Sequence, residues 1–287
     1  MRKLAIYGRQ NSNGILEIAD DLLRSLQAKG FTVSLHSNLK EIPTQADEYF
    51  SSHSGLDRKT EVLLSLGGDG TILDTVTLVG DSEVPVLGIN LGRLGFLSSI
   101  STDKLQKTID QIDKKNYEID SRCLISVNAN KDIYPGQNFA LNEFTIQRSD
   151  SNSMVTIHTE LNGETLNSYW ADGIIVATPT GSTGYSLSCG GPIIYPSAKS
   201  LILTPVSPHN LNVRPLVIPE DSVIKFKVEG RSEKYLSTLD ARTQEIDDSY
   251  EVTVQKAPFN FNLVRMNDSS FVNAIREKLL WGADKRN

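Results

Sequence analysis

One short segment of the sequence combines residue types that suit chemistry on a phosphate group. The run Gly67–Thr71 (Gly-Gly-Asp-Gly-Thr) lies between the apolar run Val62–Leu66 and a segment with helical character. Glycines let the backbone turn sharply and bring its N–H groups close to an anion, and the N-terminus of a helix favours phosphate. The segment therefore predicts a phosphate-binding turn in which Gly67, Gly68 and Thr71 take part.

The carboxylate of Asp69 is unexpected inside a phosphate-binding turn, because it would repel the ligand. Such a group makes sense where it orients Mg²⁺ or accepts a proton from an attacking hydroxyl. Alternatively, the glycines only shape a strand-to-helix turn and Asp69 caps the helix. The rarity of the five-residue run in a chain of average composition favours the functional interpretation.

A second segment of interest is rich in hydroxyl groups and glycine. It begins after the apolar run Gly173–Ala177, covers Thr178–Ser188 and continues into Gly190-Gly191-Pro192. Hydroxyls and exposed backbone N–H groups suit ribose and pyrophosphate oxygens, and Tyr185 could pack on a planar ring. Alone, such a stretch is more often an ordinary Gly/Ser loop, so its interpretation depends on the first segment.

Several familiar catalytic signatures are missing. The sequence has no Gly-x-x-x-x-Gly-Lys-Ser/Thr run, and Gly88, Gly92 and Gly95 do not fit the Gly-x-Gly-x-x-Gly dinucleotide fingerprint. Gly181–Gly184 lacks the Gly-x-Ser-x-Gly spacing of a nucleophile elbow. The 4 histidines show no metal-ligand spacing, so we expect no metal held by protein ligands alone. Positioning and electrostatics remain, which is the mode of phosphoryl transfer.

The elements that must position these segments change in type along the chain. Over residues 1–120, apolar runs alternate with helical patterns, and this predicts a Rossmann-like parallel α/β domain with helices on both faces of the sheet. The predicted strands are Lys3–Tyr7, Phe31–His36, Val62–Leu66 and Val84–Ile89. The predicted helices are one whose apolar stripe runs from Ile15 to Leu26 and which Gly30 ends, and those at residues 71–80 and 103–115.

Residues 121–268 show alternating, β-type patterns punctuated by prolines, which predict an all-β, sandwich-type domain. Asn162-Gly163 is a strong two-residue hairpin signal after Val155–Leu161. The other predicted strands are around 125–129 and 144–146, at Gly173–Ala177, Leu201–Leu203, Leu216–Ile218 and Val223–Val228, and at Glu251–Val254. A closing helix at Phe271–Trp281, within residues 269–287, is expected to pack back on the first domain.

Composition limits the class of partner. With 29 basic and 35 acidic residues the formal net charge is −6, which argues against nucleic acid, whose binding depends on phosphate neutralisation. Two cysteines form no disulfide framework, and the sequence shows no membrane-spanning or secretory apolar segment. We therefore expect a reduced, cytoplasmic protein with no membrane partner.

The motifs together resemble one enzyme family. Gly67–Thr71, Asn142-Glu143 and the stretch from Asp172 through Ser186 occur in the order and spacing of the ATP-dependent NAD kinases, and Gly88–Leu97 is similar as well. The resemblance extends from about Val62 to the final helix. The Gly-Gly-Asp-Gly motif alone is shared with diacylglycerol, sphingosine and phosphofructo-kinases, so it is the combination that identifies the family.

The resemblance implies a reaction and its participants. A NAD kinase transfers the γ-phosphate of ATP to the 2′-hydroxyl of the adenosine ribose of NAD, with Mg²⁺ bridging the ATP phosphates, and yields NADP. Asp69 would accept the proton of that hydroxyl, and Gly70 would line the same pocket. The other residues implied to bind NAD or the nucleotide are Asn142, Glu143, Trp170, Asp172, Thr183, Gly184, Tyr185, Ser186, Leu187, Ser188, Ser207, Asp240 and Arg242.

Some of these residues receive a finer role from the resemblance. Asn142 and Glu143 would hydrogen-bond the ribose, and Asp172 would contact the nicotinamide side. Ser207 falls where relatives place an adenine contact, and Asp240 where they carry a carboxylate near the reacting phosphate. The segment from Thr183 to Ser188 would wrap the nucleotide.

Two positions depart from the family pattern and leave substrate preference open. Trp170 stands where NAD-selective relatives often carry Arg, and Ala241-Arg242 stands where many bacterial relatives have a small residue and then Gln. The choice between NAD and NADH is therefore undetermined at this point. The family also implies a homo-oligomer, dimer or tetramer. The alternatives are a lipid or sugar kinase built on the same motif and a non-catalytic nucleotide sensor.

Overall fold

The computed structural model describes residues 2–10, 14–92, 95–98, 100–149, 154–230, 233–267 and 270–281. The chain divides into two compact units, one made of residues 1–121 with 261–287 and the other of residues 122–260. The domain scheme drawn from the sequence (1–120, 121–268 and 269–287) stays a prediction. Within the described part of the chain, no helix is long and apolar enough to span a lipid bilayer.

The strands and helices are numbered here in chain order. The strands are β1 (Lys3–Gly8), β2 (Thr32–His36), β3 (Glu48–Phe50), β4 (Val62–Leu66), β5 (Val86–Asn90), β6 (Ile100–Ser101), β7 (Glu118–Ala129), β8 (Phe139–Ala140), β9 (Glu143–Arg148), β10 (Val155–Leu161), β11 (Glu164–Ala171), β12 (Gly173–Ala177), β13 (Ser200–Val206), β14 (Leu216–Pro219), β15 (Ile224–Gly230), β16 (Tyr235–Leu239), β17 (Arg242–Ile246) and β18 (Glu251–Arg265). The α-helices are α1 (Ile15–Ala28), α2 (Asp69–Val79), α3 (Leu105–Asp113), α4 (Tyr185–Ser188) and α5 (Phe271–Leu279).

The first unit contains the parallel sheet that the sequence predicts. Its strands lie in the order β3, β2, β1, β4, β5, with every neighbouring pair parallel. Each residue of β4 and β5 is buried, which explains why both strands are mostly apolar with no alternating polar face. The chain leaves β1 toward β2 on one side and reaches β4 on the other. The carboxyl ends of β1 and β4 therefore flank a switch point, where α/β sheets bind their ligands.

Helix α1 follows the apolar stripe read from the sequence. Ile15, Ala19, Leu22, Leu23 and Leu26 are buried, at the spacing that puts them on one face. The helix begins after Gly14, and the asparagines and serine at 11–13 expected to cap it lie outside the described residues. Helix α5 is present as predicted, but none of its residues is buried, and its packing on the first domain stays a prediction.

The second unit contains two antiparallel sheets, as expected for a sandwich-type domain. One sheet has the order β14, β13, β12, β9, β16, β17, and in the other β11, β10, β15 and β18 are neighbours. Alternate side chains from both sheets form a shared core, among them Phe144, Val176, Ile157 and Phe226. The predicted hairpin is confirmed, because Asn162 and Gly163 adopt φ of 53° and 85° between β10 and β11.

Three features of this unit were missed in the sequence. The hairpin of β16 and β17 turns through Asp240 and Ala241, where Asp240 adopts φ of 51° without being a glycine. Strand β18 continues to Arg265, beyond the predicted end at Val254, so its last residues belong to the first unit, where Leu263 pairs with Val86 of β5. The short helix α4 lies in the stretch read as a Gly/Ser loop.

Candidate active site

The Gly67–Thr71 turn connects β4 to α2, and its first glycine is required by space. Gly67 adopts φ of +148°, and a Cβ on it would lie 2.2 Å from Thr71 Oγ1. Gly68 precedes the helix and a Cβ there would meet nothing within 4 Å. Helix α2 begins at Asp69, so the turn presents the positive end of a helix at the carboxyl edge of the sheet. This geometry suits an anionic ligand.

The side chain of Asp69 hydrogen-bonds the backbone of a distant segment. Its Oδ2 accepts from Phe96 N at 2.8 Å, and its Oδ1 accepts from Leu97 N at 3.0 Å and Ser98 N at 2.9 Å. The sequence suggests a metal-orienting group, a proton acceptor or a helix cap, and this long-range partner was not foreseen. The partner had no local signal, since Asp69 and Ser98 are 29 positions apart.

A cation beside the turn was also missed in the sequence. Arg9 follows β1, and its Nη2 donates to Gly70 O at 3.0 Å. The guanidinium also pairs with Asp74 of α2, with Nη2 donating to Asp74 Oδ1 at 2.7 Å. Half of the Arg9 side chain is exposed, at 51%. Its positive charge is shared with the Asp74 carboxylate, and this ion pair lies beside the N-terminus of α2, the end of a helix that phosphate groups prefer.

In the second unit, Asp240 organises the backbone that carries Asn142 and Glu143. Its Oδ2 accepts from Leu141 N at 2.9 Å, and its Oδ1 accepts from Asn142 N at 2.8 Å and Glu143 N at 3.2 Å. Burial raises the pKa of Asp240, and the three N–H donors oppose that shift. The resemblance implies that Asp240 lies near the reacting phosphate. In this structure its carboxylate hydrogen-bonds the backbone at the start of β9.

Glu143 carries the least satisfied carboxyl group of the site. Its Oε2 is buried with no hydrogen-bond partner among the described residues, while the backbone N–H of Tyr185 donates to the carboxyl group. Burial, followed by the negative charge of Asp240, raises the pKa of Glu143 to about 8. A Cβ at Gly184 would lie 3.1 Å from Oε2, so glycine there leaves space beside this oxygen. Glu143 is thus neutral below that pH and can donate a proton to a ligand.

The raised pKa of Glu143 makes stability depend on pH. The carboxyl keeps its proton up to about pH 8 in the folded chain but loses it near 4.5 when unfolded, so the unfolded state binds fewer protons between these values. Stability should therefore fall as pH rises through this window, and Glu143→Gln should remove much of that fall. Urea unfolding at pH 5.5 and 8.5 measures it. An equal difference between variant and wild type at both pH values would contradict the shift.

The Thr178–Ser188 segment packs directly on Asn142. Thr178 Oγ1 donates to Leu141 O at 2.6 Å, and Thr178 N donates to Asn142 O at 2.8 Å. A Cβ on Gly181 would lie 2.2 Å from Asn142 O, so this glycine is required for close approach. The buried Arg122 donates from Nη1 to Thr180 Oγ1 at 3.1 Å. The Asn142-Glu143 pair and the Thr178–Ser188 segment are therefore packed against each other.

Residues of the Thr178–Ser188 segment differ in how far their side chains are exposed. The Ser186 hydroxyl is buried and bonded to Thr204 Oγ1 at 2.8 Å, so its side chain is used inside the protein rather than at a surface. Thr183 is half-buried, with its hydroxyl donating to Thr180 O at 3.4 Å. Leu187 is half-buried and Ser188 exposed. Tyr185 is 37% exposed and its hydroxyl accepts from Gln147 Nε2 at 2.8 Å.

The remaining predicted residues lie on or beside strands of both sheets of the second unit. Asp172 pairs with Arg148, whose Nε lies 2.9 Å from Asp172 Oδ1. Trp170 is 52% exposed with its ring centroid 5.2 Å from that of His209, and Ser207 is exposed with φ of 45°. Arg242 donates to the carbonyl oxygens of Gln137 and Phe139, so its guanidinium supports the backbone before Asn142.

The donor groups of the site suit a metal that arrives with its substrate. Among the residues the structure describes, no three His, Cys, Asp or Glu side chains gather as a protein-held metal centre requires. Mg²⁺ is commonly bound by one or two carboxylates together with substrate phosphates. A carboxylate beside a glycine-rich turn at a helix N-terminus, as Asp69 is here, suits that pattern.

A chain with a parallel α/β unit, a glycine-rich turn before a helix and a sandwich unit has the features expected of a nucleotide-dependent phosphotransferase. Residues 4–117 match the family model described as ATP-NAD kinase N-terminal domain, and residues 141–266 match the ATP-NAD kinase C-terminal domain. The chain belongs to the NAD kinase family, and it is a kinase that transfers phosphate to NAD.

Individual relatives are similar over the full length. The NAD kinase of Flavobacterium psychrophilum is 45% identical over 293 residues, covering 99% of this chain and 100% of the relative. That of Cytophaga hutchinsonii is 39% identical, with 99% of each chain covered. Two solved structures are each 25% identical. Yeast NADH kinase complexed with NADH has a TM-score of 0.87 (99% of this chain and 89% of that one covered), and an Archaeoglobus fulgidus NAD kinase in complex with ATP has 0.71 (98% of each).

Proposed function

We propose that this chain transfers the γ-phosphate of ATP to the 2′-hydroxyl of the adenosine ribose of NAD. The ribose oxygen bonds to the γ-phosphorus, the bond to the ADP oxygen breaks, and the hydroxyl proton passes to a protein carboxylate. The observation that carries the proposal is the Asp69 carboxylate at the first turn of α2, directly after the two glycines of the anion turn. This arrangement supplies an acceptor for the proton beside a site for the phosphates.

The phosphates of the donor are assigned to the Gly67–Thr71 turn. The N-terminus of α2 and the half-exposed guanidinium of Arg9 face the charge that develops on a transferring phosphate. Mg²⁺ bound to the ATP phosphates would neutralise further charge, with Asp69 as the protein carboxylate suited to face it. Its Oδ2 accepts one hydrogen bond, from Phe96 N, and keeps capacity for a proton or an ion.

The dinucleotide is assigned to polar groups of the second unit. Asn142 and Glu143 bind the ribose, and the buried, neutral Glu143 carboxyl donates from Oε2 to a ligand oxygen. The exposed ring of Tyr185 packs on a planar base, with the backbone of Thr183, Gly184, Leu187 and Ser188 around it. Asp172 contacts the nicotinamide side, Ser207 the adenine, and Trp170 offers an exposed ring. Asp240 and Arg242 act through the backbone they hold, and the Ser186 hydroxyl acts through its buried bond to the Thr204 hydroxyl.

A direct assay tests the reaction. Purified protein with Mg²⁺, ATP and NAD should form NADP, detected by a dehydrogenase specific for NADP. Chelating the divalent cation should abolish the product, because phosphate charge is then uncompensated. Parallel reactions with NADH, a diacylglycerol and a sugar establish acceptor choice. Phosphorylation of the lipid or the sugar in place of NAD, or tight NAD binding without turnover, would contradict the proposal.

We also propose that the protein is cytoplasmic and forms a homo-oligomer. Strands β14 and β17 are the edges of the six-stranded sheet, and exposed sheet edges are suited to pairing between copies. Light scattering coupled to size exclusion should give a mass at least twice the 31.6 kDa of one chain. A mass of one chain at micromolar concentration would contradict the assembly without affecting the proposed reaction.

A further inference from the structure

The two carboxylate oxygens of Asp69 have different surroundings. Oδ1 accepts from the backbone N–H groups of Leu97 and Ser98, at 3.0 and 2.9 Å, and from the Ser98 hydroxyl at 3.3 Å. Among the residues that the structure describes, Oδ2 accepts only from Phe96 N, at 2.8 Å. Three successive backbone donors on one carboxylate hold residues 95–98 in a single conformation. The oxygens therefore differ in how much capacity they keep for a proton.

Gly95 makes this contact possible. A Cβ on Gly95 would lie 1.8 Å from Asp69 Oδ1 and 2.5 Å from its Cγ, distances that no packed pair of atoms adopts. The Gly95 N–H donates to Ser98 O at 3.1 Å, which closes the turn around the carboxylate. Any side chain at position 95 must push the turn and Asp69 apart. The requirement for glycine here is one of space.

The far side of the turn is fixed to β5. Asn90, which is buried at the end of β5, donates from Nδ2 to Ser98 Oγ at 3.0 Å. A Cβ on Gly88 would lie 2.8 Å from Ser98 Cα, so the strand approaches the turn closely. The backbone of residues 95–98 thus lies between β5 and the start of α2, with Asp69 bonded to it.

We propose that Asp69 anchors residues 95–98 through Oδ1, that Gly95 is a positioning residue for this contact, and that Oδ2 remains the oxygen that accepts the proton. The inference rests on the proposed function, since Asp69 is the proton acceptor there. It gives Asp69 a second role, the anchoring of residues 95–98. It also gives Gly95 a role, although Gly95 takes no part in the proton transfer. Catalysis then requires the turn as well as the carboxylate.

Gly95→Ala tests the inference while leaving the carboxylate in the chain. We expect kcat to fall about 100-fold, because displacement of a reacting group by about 1 Å has an effect of this size, while KM for NAD changes less than about threefold. Gly55→Ala is the matched control. A Cβ there meets Phe50 Cβ at an ordinary 3.4 Å, and activity should be unchanged. A kcat of Gly95→Ala within about twofold of wild type overturns the inference.

A double-mutant cycle separates positioning from a general structural effect. If Gly95 acts through Asp69, the double variant Gly95→Ala with Asp69→Asn should be no slower than Asp69→Asn alone. If Gly95 acts independently, the two reductions in kcat should multiply. Multiplication would overturn the inference.

Hydrogen exchange provides a test that needs no activity. In wild type the amides of Phe96, Leu97 and Ser98 should exchange slowly, and in Asp69→Asn at least about tenfold faster, because the amide side chain loses an acceptor and gains a donor. Equal exchange in the two proteins would overturn the inference even where Gly95→Ala fails to fold. A wild type that makes no NADP would instead refute the proposed function, so the two failures are distinguishable.

Discussion

Replacing Asp69 with asparagine should lower kcat about a thousandfold while NAD still binds. General base catalysis commonly contributes between about 10² and 10⁴ in rate, and asparagine keeps the size of the side chain but cannot accept the proton. The amide oxygen can still accept one of the backbone N–H groups of residues 96–98, so the fold should survive. The loss should therefore fall on turnover.

Steady-state kinetics with NAD titration calorimetry measures both quantities. The affinity for NAD should change less than about threefold, which marks an interaction made in the transition state rather than in the bound substrate. Asp103→Asn, at an exposed position of the same unit, is the control and should behave as wild type. Near wild-type turnover of Asp69→Asn would remove Asp69 from the proton-accepting role.

Replacing Asp240 with alanine should weaken both the second unit and its binding of NAD. The change leaves the N–H groups of Leu141, Asn142 and Glu143 without their acceptor. Unsatisfied backbone donors of this kind cost about 1–3 kcal/mol each where water cannot replace the partner, so the three together should cost at least about 3 kcal/mol. Because the same N–H groups fix Asn142 and Glu143, NAD affinity should fall at least about tenfold.

Chemical unfolding and calorimetry distinguish this result from a purely local effect. Asp248→Ala, at an exposed site in the same unit, is the matched control and should change neither quantity. A stability within about 0.5 kcal/mol of wild type would show that Asp240 is not holding the start of β9. Normal stability combined with lost turnover would instead restore the role near the reacting phosphate.

The sequence predicted the elements whose patterns are set locally. Val62–Leu66, Val155–Leu161 and Gly173–Ala177 are strands with the predicted bounds, because each is an apolar or alternating run bounded by polar or turn residues. The hairpin at Asn162-Gly163 follows from two residues that tolerate positive φ. The hairpin of β16 and β17 was not predicted, because Arg242–Ile246 is mostly polar and the turn residues, Asp240 and Ala241, are not a typical hairpin pair.

Those parts of the candidate site could be predicted in which the chemically important residues are adjacent in the sequence. The glycine-rich turn and the Asn142-Glu143 pair could be read directly, since both are short runs. Arg9 and Gly95 could not, because each acts through a contact with residues far along the chain, Gly70 for one and Asp69 for the other. The hydrogen bonds of Asp240 to the backbone and of the Ser186 hydroxyl to Thr204 could not be predicted either, because their partners are distant in the sequence.

The position of the transferred phosphate is the sharpest test of the proposed reaction. Protein incubated with NAD, Mg²⁺ and ATP labelled on the γ-phosphate should yield a labelled dinucleotide whose label lies on the 2′-oxygen of the adenosine ribose, as digestion to the labelled adenosine bisphosphate will show. The chain should transfer one label per NAD consumed. A label at the 3′-oxygen, or release of labelled phosphate to water with NAD unchanged, would contradict the account.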